Sequence, residues 1–149
     1  PELCVMEAFM YKFHPQWKKV KALIASGSIG ELIHLQTHFS YAQLDPNNIR
    51  NQKKMGGGSL YDIGCYAISL ARWLFKEEPI KVKGLSEYDP EMEIDRLTSG
   101  ILQFRKGSAS FTCGMQMERF QFARIFGSKG KIDVKYPFNC LDQEACTIV

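Results

Sequence analysis

The sequence predicts an α+β fold: an open, mostly antiparallel (mixed) β-sheet with helices packed on one face. Three observations predict it. Only two stretches, 15–27 and 59–75, carry apolar residues at helical spacing. Period-two alternation governs 31–41 and recurs between 80 and 135. Short turns of hairpin composition, Arg105-Lys106-Gly107 and Gly127-Ser128-Lys129-Gly130, join the later strands. Two helices cover only one face of such a sheet, so the other must be wet or bind a partner.

Taken in order, residues 3–13 are rich in apolar and aromatic side chains and read as a mostly buried strand. Pro15 stands where a helix can start. Trp17, Val20, Leu23 and Ile24 follow on one side, with Lys18, Lys19 and Lys21 on the wet side. Gly27 and Gly30 bracket a turn. From Glu31 the period becomes two: Ile33, Leu35, Thr37, Phe39 and Tyr41 share one face, His34, Gln36, His38 and Ser40 the other. A polar loop at 42–55 contains the turn residues Asp45-Pro46-Asn47-Asn48. Gly56-Gly57-Gly58-Ser59 leads into the second helix, with Ser59 as its expected N-cap and Glu77-Glu78-Pro79 closing it. The remainder reads as a β-meander with strands at 80–87, 94–104, 108–118, 121–126 and 131–135.

Composition narrows the function. The 149 residues are 45% hydrophobic and 23% charged, the balance of a chain with its own core. That length fits one domain and cannot hold both a cofactor domain and a substrate domain. The ends, Pro1 without an initiator Met and Thr147-Ile148-Val149 inside an apolar stretch, read as a piece of a longer polypeptide. A net charge of +3, evenly spread, gives no argument for nucleic acid or an anionic membrane. No apolar run approaches the roughly 20 residues needed to span a bilayer. Five scattered cysteines without a Cys-x-x-Cys motif read as reduced thiols of a cytoplasmic protein; Cys140 and Cys146 are spaced so that they could meet across a turn, though nothing in the sequence requires it. His34 and His38 lie roughly 13 Å apart along a strand, too far to share an ion, so no metal site is expected.

The second helix holds the chemistry. At about 100° per residue, Leu60, Ile63, Ala67, Leu70, Ala71 and Leu74 form its core sector. Gly64 at the edge of that sector permits close packing. Asp62, Tyr66, Ser69 and Trp73 form a second stripe, which puts Asp62 and Tyr66 one turn apart on a shared face. A tyrosine hydroxyl can give or take a proton, its ordinary pKa near ~10 being lowered by a nearby cation. A carboxylate one turn earlier can orient it or hold a substrate hydroxyl. The pair is equally compatible with ordinary helix-dipole complementarity. Gly57 and Gly58 allow backbone to approach a ligand near the helix N-terminus. The run is neither Gly-x-G-x-x-Gly after a strand nor a Walker loop, so a phosphate-cradling role fails on context.

Several blocks together closely resemble the glucose–fructose oxidoreductase/inositol dehydrogenase (Gfo/Idh/MocA) family. They are Glu7-Ala8-Phe9-Met10-Tyr11-Lys12-Phe13-His14-Pro15-Gln16, Ile24 with Gly27-Ser28-Ile29-Gly30-Glu31-Leu32, Gly56 through Tyr66, and Glu78-Pro79. The blocks run in order over about residues 5–135, nearest the branch of sugar and dihydrodiol dehydrogenases. The resemblance implies a C-terminal substrate-binding and dimerisation domain, residues 1–149. It also implies an NAD- or NADP-binding Rossmann domain, carrying a Glu-Lys-Pro lysine, outside this chain. By the same resemblance Tyr66 is the proton donor and acceptor and Asp62 its support, since Asp-x-Gly-x-Tyr matches Asp62-Ile63-Gly64-Cys65-Tyr66.

The resemblance further implies a sugar, polyol or dihydrodiol substrate and dimerisation through the open sheet face. Lys12 stands where the family usually has Arg, keeping the charge without the planar fork. Arg50 is a candidate substrate or cofactor contact, and Met10 and Phe39 candidate pocket walls. On this reading the chain by itself is inactive. The alternative is a non-catalytic relative whose sheet dimerises or senses a ligand.

Overall fold

The computed structural model describes residues 3–140. Helix α1 (Pro15–Ala25) starts where proline's fixed φ and missing N–H cost nothing. His14 Nδ1 caps it by accepting from the Gln16 amide at 3.2 Å. Gly27, at φ +72°, turns the chain out of it. Strand β1 (Leu32–Ala42) follows, then a loop with two short 3₁₀ turns, Ile49–Asn51 and Lys53–Met55. A π-helical turn (Leu60–Gly64) runs directly into α2 (Cys65–Phe75). The other strands are β2 (Lys81–Tyr88), β3 (Asp95–Phe104), β4 (Gly107–Gly114), β5 (Gln116–Gly127) and β6 (Lys131–Val134).

All six strands form one open sheet in the order β2-β3-β4-β1-β5-β6. The β1–β4 pair is parallel and the other pairs are antiparallel, which is the mixed sheet expected. Leu35, Thr37 and Phe39 face the core at the centre, flanked by Ala109, Phe111 and Cys113 on β4. On the other side stand Ile125, Ala123 and Gln121 of β5. Trp17 and Val20 of α1 and Ala67, Leu70, Ala71 and Leu74 of α2 complete this core. Trp17 Nε1 donates to the Pro137 carbonyl at 2.7 Å, which pays the polar cost of burying its indole. Gly64 packs as expected: a Cβ there would stand 2.8 Å from Cys113 Sγ.

Four expectations are corrected. Residues 3–13 are not a strand; 3–9 take no regular structure and Met10–Phe13 form a 3₁₀ turn. Of this stretch only Tyr11 is buried, while Leu3, Val5 and Met6 lie in the open, because no strand edge meets them. The later strands are not a meander either, since β1 is inserted between β4 and β5. The stretch 108–118 accordingly breaks at Met115. Its amide donates to the Arg96 carbonyl and its carbonyl accepts from the Gln43 amide, as the chain crosses the end of β1. Ser59 does not cap the second helix in the expected way. Its own φ and ψ are helical, and the cap comes from Asp95 at the start of β3. Asp95 Oδ2 accepts from the Leu60 amide (2.7 Å), Ser59 Oγ (2.7 Å) and Thr98 Oγ1 (2.8 Å). Finally, Cys4, Cys65 and Cys113 are free thiols as expected, but Cys140 is disulfide-bonded.

Among the described residues the second face of the sheet carries no helix and is lined by hydroxyls, imidazoles and rings. His34 bonds to Ser108 and Ser110 across the parallel pair. His38 stacks on Phe122 at a 5.9 Å centroid distance and hydrogen-bonds Ser40. Leu85, Ile101 and Phe120 are exposed there. Burial holds the pKa of both histidines below the ordinary value.

Two predictions follow from this architecture. Asp95→Ala removes three charge-assisted bonds and leaves the Leu60 amide without its acceptor, while Thr98 keeps Ser86 and Ser59 keeps the Cys113 carbonyl, so it should cost about 2 kcal/mol in urea unfolding. Asp95→Asn keeps an acceptor oxygen and should cost about 1 kcal/mol. The lowered histidine pKa values mean that the unfolded chain takes up protons first as pH falls. Stability should therefore drop as pH falls from the ordinary value of 6.5 through the lower folded values, then level off. A His34→Gln/His38→Gln double variant should flatten that slope in urea midpoints measured from about pH 7 to about pH 5.

Candidate active site

The polar end of β1 meets the start of the second helix across a cleft of about 650 Å³. Met10, Phe39, Tyr41, Arg50, Asp62 and Tyr66 line its inner part, with Glu118 and Arg119 at the start of β5. β1 delivers Phe39 and Tyr41 by its alternation, both on the core face but Tyr41 beyond the helix cover. The π-helical turn and first turn of α2 deliver Asp62 and Tyr66. The loop at 49–51 delivers Arg50.

Asp62 is clamped from two sides. Arg50 Nε donates to Oδ1 at 2.8 Å, and the Tyr41 hydroxyl donates to Oδ2. Tyr41 Oη also lies 3.3 Å from Met115 Sδ. Burial raises the Tyr41 pKa, helped by the hydrogen bond to Asp62 and by its charge, so this phenol stays protonated. The ion pair is half in water at Arg50 and contributes little stability by itself.

Tyr66 is differently placed. Its ring packs edge-on against Phe9 (5.1 Å), Phe39 (5.9 Å) and Phe138 (5.7 Å), and is tilted on Tyr11 (5.9 Å). Its hydroxyl is directed at Met10 Sδ, 3.8 Å away, a weak acceptor. Burial pushes the Tyr66 pKa up, as do the nearby Cys65, Asp62 and Glu7; Arg50 partly offsets them. Within this chain the phenol is thus held in its acid form. Among the described residues no lysine lines the cleft, so the cation expected to lower that pKa is not contributed by them.

Asp62, Tyr66, Arg50, Met10 and Phe39 are brought together, as candidates of one site. Lys12, Gly57 and Gly58 are not. The Lys12 ammonium sits over the Phe9 ring, 5.1 Å from its centroid. Burial and the charge of Arg72 lower its pKa. Gly57 is pressed against the loop: a Cβ would be 2.4 Å from the Arg50 carbonyl oxygen. Gly58, at φ +128°, is pressed against Asp95, its Cβ position 2.0 Å from Oδ1. These glycines therefore close the loop onto the sheet and do not line the cleft. The rest of the expected stripe, Ser69 and Trp73, is covered: Trp73 packs on Tyr11 and Trp17.

Sequence reasoning missed Tyr41 as a site residue, although its signal was present. It closes the apolar alternation of β1 with a side chain that carries a hydroxyl. Glu118 and Arg119 had no such signal, because they reach the cleft only through the insertion of β1 beside β5. A second depression of similar size, about 670 Å³, lies along β5 and β6. Its charged pair is Arg124 with Asp133 at 3.5 Å, and it lacks the Asp62–Tyr66 arrangement.

Comparison with known proteins agrees in fold and extent. The GFO/IDH/MocA C-terminal domain matches residues 17–133. An uncharacterized oxidoreductase of Rhizobium meliloti is 41% identical over 146 residues, 97% of this chain and 44% of its own length. D-xylose 1-dehydrogenase (NADP(+)) 2 of Haloferax volcanii is 32% identical over 137 residues, 91% of this chain and 42% of its own length. The solved structure of a 3-ketoreductase from Actinomadura kijaniata with NADP and TDP-benzene superposes with a TM-score of 0.88. It is 24% identical and covers 98% of this chain and 45% of that one, a likeness of fold. The chain thus spans less than half the length of these relatives. Matched by the family's domain from Trp17 to Asp133, this chain belongs to the Gfo/Idh/MocA family.

Proposed function

We propose that residues 1–149 are the C-terminal substrate-binding and dimerisation domain of an NAD- or NADP-dependent oxidoreductase. Its substrate would be a sugar, polyol or dihydrodiol-type alcohol or the matching carbonyl. One observation carries this reading: the Tyr66 hydroxyl faces a cleft with a thioether as its only partner among the described residues, beside a carboxylate already held by Tyr41 and Arg50. A phenol in that state is available to a substrate oxygen. Family membership and the oxidoreductase activity of the relatives support it.

The glycine run does not fit a dinucleotide pyrophosphate, since Gly57 and Gly58 are filled in by the Arg50 carbonyl and Asp95. The cofactor would therefore be held mainly by sequence outside this chain. A nicotinamide supplies hydride transfer; the residues here do the rest. Tyr66 hydrogen-bonds the reacting oxygen. When a carbonyl is reduced its hydroxyl gives that oxygen a proton, and when an alcohol is oxidised its phenolate takes one. A lysine from the other domain would lower its pKa and return the proton. Phe39 and Met10 give the cleft an apolar wall, and Arg50 offers further N–H groups to substrate hydroxyls.

The open sheet face would pair with a second copy, supported by exposed Leu85, Ile101 and Phe120 on a face that no helix of the described residues covers. No helix among the described residues is long and apolar enough to cross a membrane. The free Cys4, Cys65 and Cys113 support a cytoplasmic setting, and the disulfide at Cys140 stands against it.

The test uses the full-length protein with a panel of sugars, inositols and dihydrodiols and each cofactor. Tyr66→Phe should lower kcat by roughly 100-fold or more while changing the Kd for the nucleotide by only about two-fold. An unchanged kcat removes Tyr66 from the reaction.

A further inference from the structure

Asp62 and Tyr66 are four residues apart where the π-helical turn passes into α2, about one turn along the helix. The half-buried carboxylate is near enough for its charge to act on the Tyr66 hydroxyl, and hydrogen bonds to an ionised oxygen are about twice as strong as neutral ones. Left to itself, Asp62 would take the Tyr66 proton donor for its own. It does not do so. Each of its oxygens already accepts from another donor, Oδ1 from Arg50 and Oδ2 from Tyr41, while the Tyr66 hydroxyl is left with Met10 Sδ at 3.8 Å.

We propose that Tyr41 is a positioning residue: its hydroxyl, with Arg50, holds the Asp62 carboxylate turned away from Tyr66 and so keeps the Tyr66 hydroxyl free for a substrate oxygen. This rests on the oxidoreductase reading for its consequence in turnover, but not for its geometry. Tyr41 suits the task in three ways. It comes from β1, whose centre is fixed by β4 and β5 on either side. Its hydroxyl stays a donor, because burial and the charge of Asp62 both oppose its ionisation. Its oxygen is backed by Met115 Sδ, and Met115 is wholly buried at the chain crossing, so the ring has a fixed seat. Arg50, exposed and on a loop, could not by itself fix both carboxylate oxygens through one Nε.

The geometry gives a signed expectation. In Tyr41→Phe the ring is kept and only the donor is lost. Asp62 Oδ2 then turns toward Tyr66 and accepts its hydroxyl proton. A hydrogen bond made by the neutral phenol to a carboxylate disfavours the phenolate, so the Tyr66 titration should move to higher pH, by roughly one pH unit. Turnover in the full-length enzyme should fall about ten-fold in kcat with a smaller change in KM, because binding surface is kept while the proton donor is sequestered. If Tyr41 acts through Asp62, its effect must vanish once Asp62 is gone.

The experiment is a double-mutant cycle of Tyr41→Phe and Asp62→Ala in the full-length protein. It is read by NMR titration of the Tyr66 ring carbon and by kcat and KM for the best substrate of the panel. The expected result is an upward move of the Tyr66 titration in Tyr41→Phe and no effect of Tyr41→Phe in the Asp62→Ala background. An unchanged Tyr66 titration in Tyr41→Phe, or an equal move with and without Asp62, overturns the proposal. The titration needs no substrate, so it decides the positioning role even where Tyr66→Phe has shown the oxidoreductase reading to be wrong.

Discussion

One carboxylate ties the helix that bears the candidate site to the sheet beneath it. Asp95 opens β3 and accepts, on a single oxygen, the Leu60 amide at the helix N-terminus, the Ser59 hydroxyl and the Thr98 hydroxyl. Helix N-termini carry unpaired amides and a partial positive charge, so a buried anion there is stabilised while it satisfies them. The same residue explains the glycine before Ser59. Gly58 lies against Asp95 at a positive φ, and any side chain would fall on Oδ1. The loop can therefore close onto the sheet only with glycine at this position. Asp62 and Tyr66 inherit their places from that closure, three and seven residues along the chain from Ser59.

Strand order supplies the other half of the site. β1 runs parallel to β4 and antiparallel to β5, and the chain crosses at Met115 from one side of β1 to the other. That crossing sets Met115 under Tyr41 and carries Glu118 and Arg119 to the mouth of the cleft. The cleft is consequently a product of topology, assembled from the end of β1, the start of β5 and the helix fixed by Asp95. Its electrostatics are divided. Tyr41 is kept a donor and Asp62 an acceptor, whereas among the described residues the Tyr66 hydroxyl has only the weak Met10 partner. A proton-transfer group needs this freedom, and an ordinary structural tyrosine in a core does not.

Much of this was legible in the sequence, and the failures have identifiable causes. Periodicity located both helices and the sheet strands because burial on one side imposes it directly. The Asp62–Tyr66 pairing followed from helical spacing, and Arg50, Met10 and Phe39 join it in the cleft. What depends on partners distant in sequence was not legible. Ser59 has the composition of a cap, but its hydroxyl is a donor to Asp95, 36 residues further on. Gly57 and Gly58 resemble a ligand cradle in composition, yet the Arg50 carbonyl and Asp95 fill it. Residues 3–13 are apolar enough for a strand, but strands need an unpaired edge as well as a pattern. The insertion of β1 reverses the meander reading for the same reason, since hairpin composition fixes adjacent pairs and says nothing of a strand placed between more distant ones.

The central claim is that the cleft between β1 and the second helix receives the substrate with its reacting oxygen at Tyr66. The most direct measurement is a crystal structure of the full-length protein with NAD or NADP and its preferred sugar or diol. The account predicts a substrate oxygen within hydrogen-bond distance, about 2.6–3.2 Å, of Tyr66 Oη, with Asp62 still held by Tyr41 and Arg50. A substrate bound along β5 and β6, or on the open face of the sheet, with Tyr66 making no contact to it, would contradict the account.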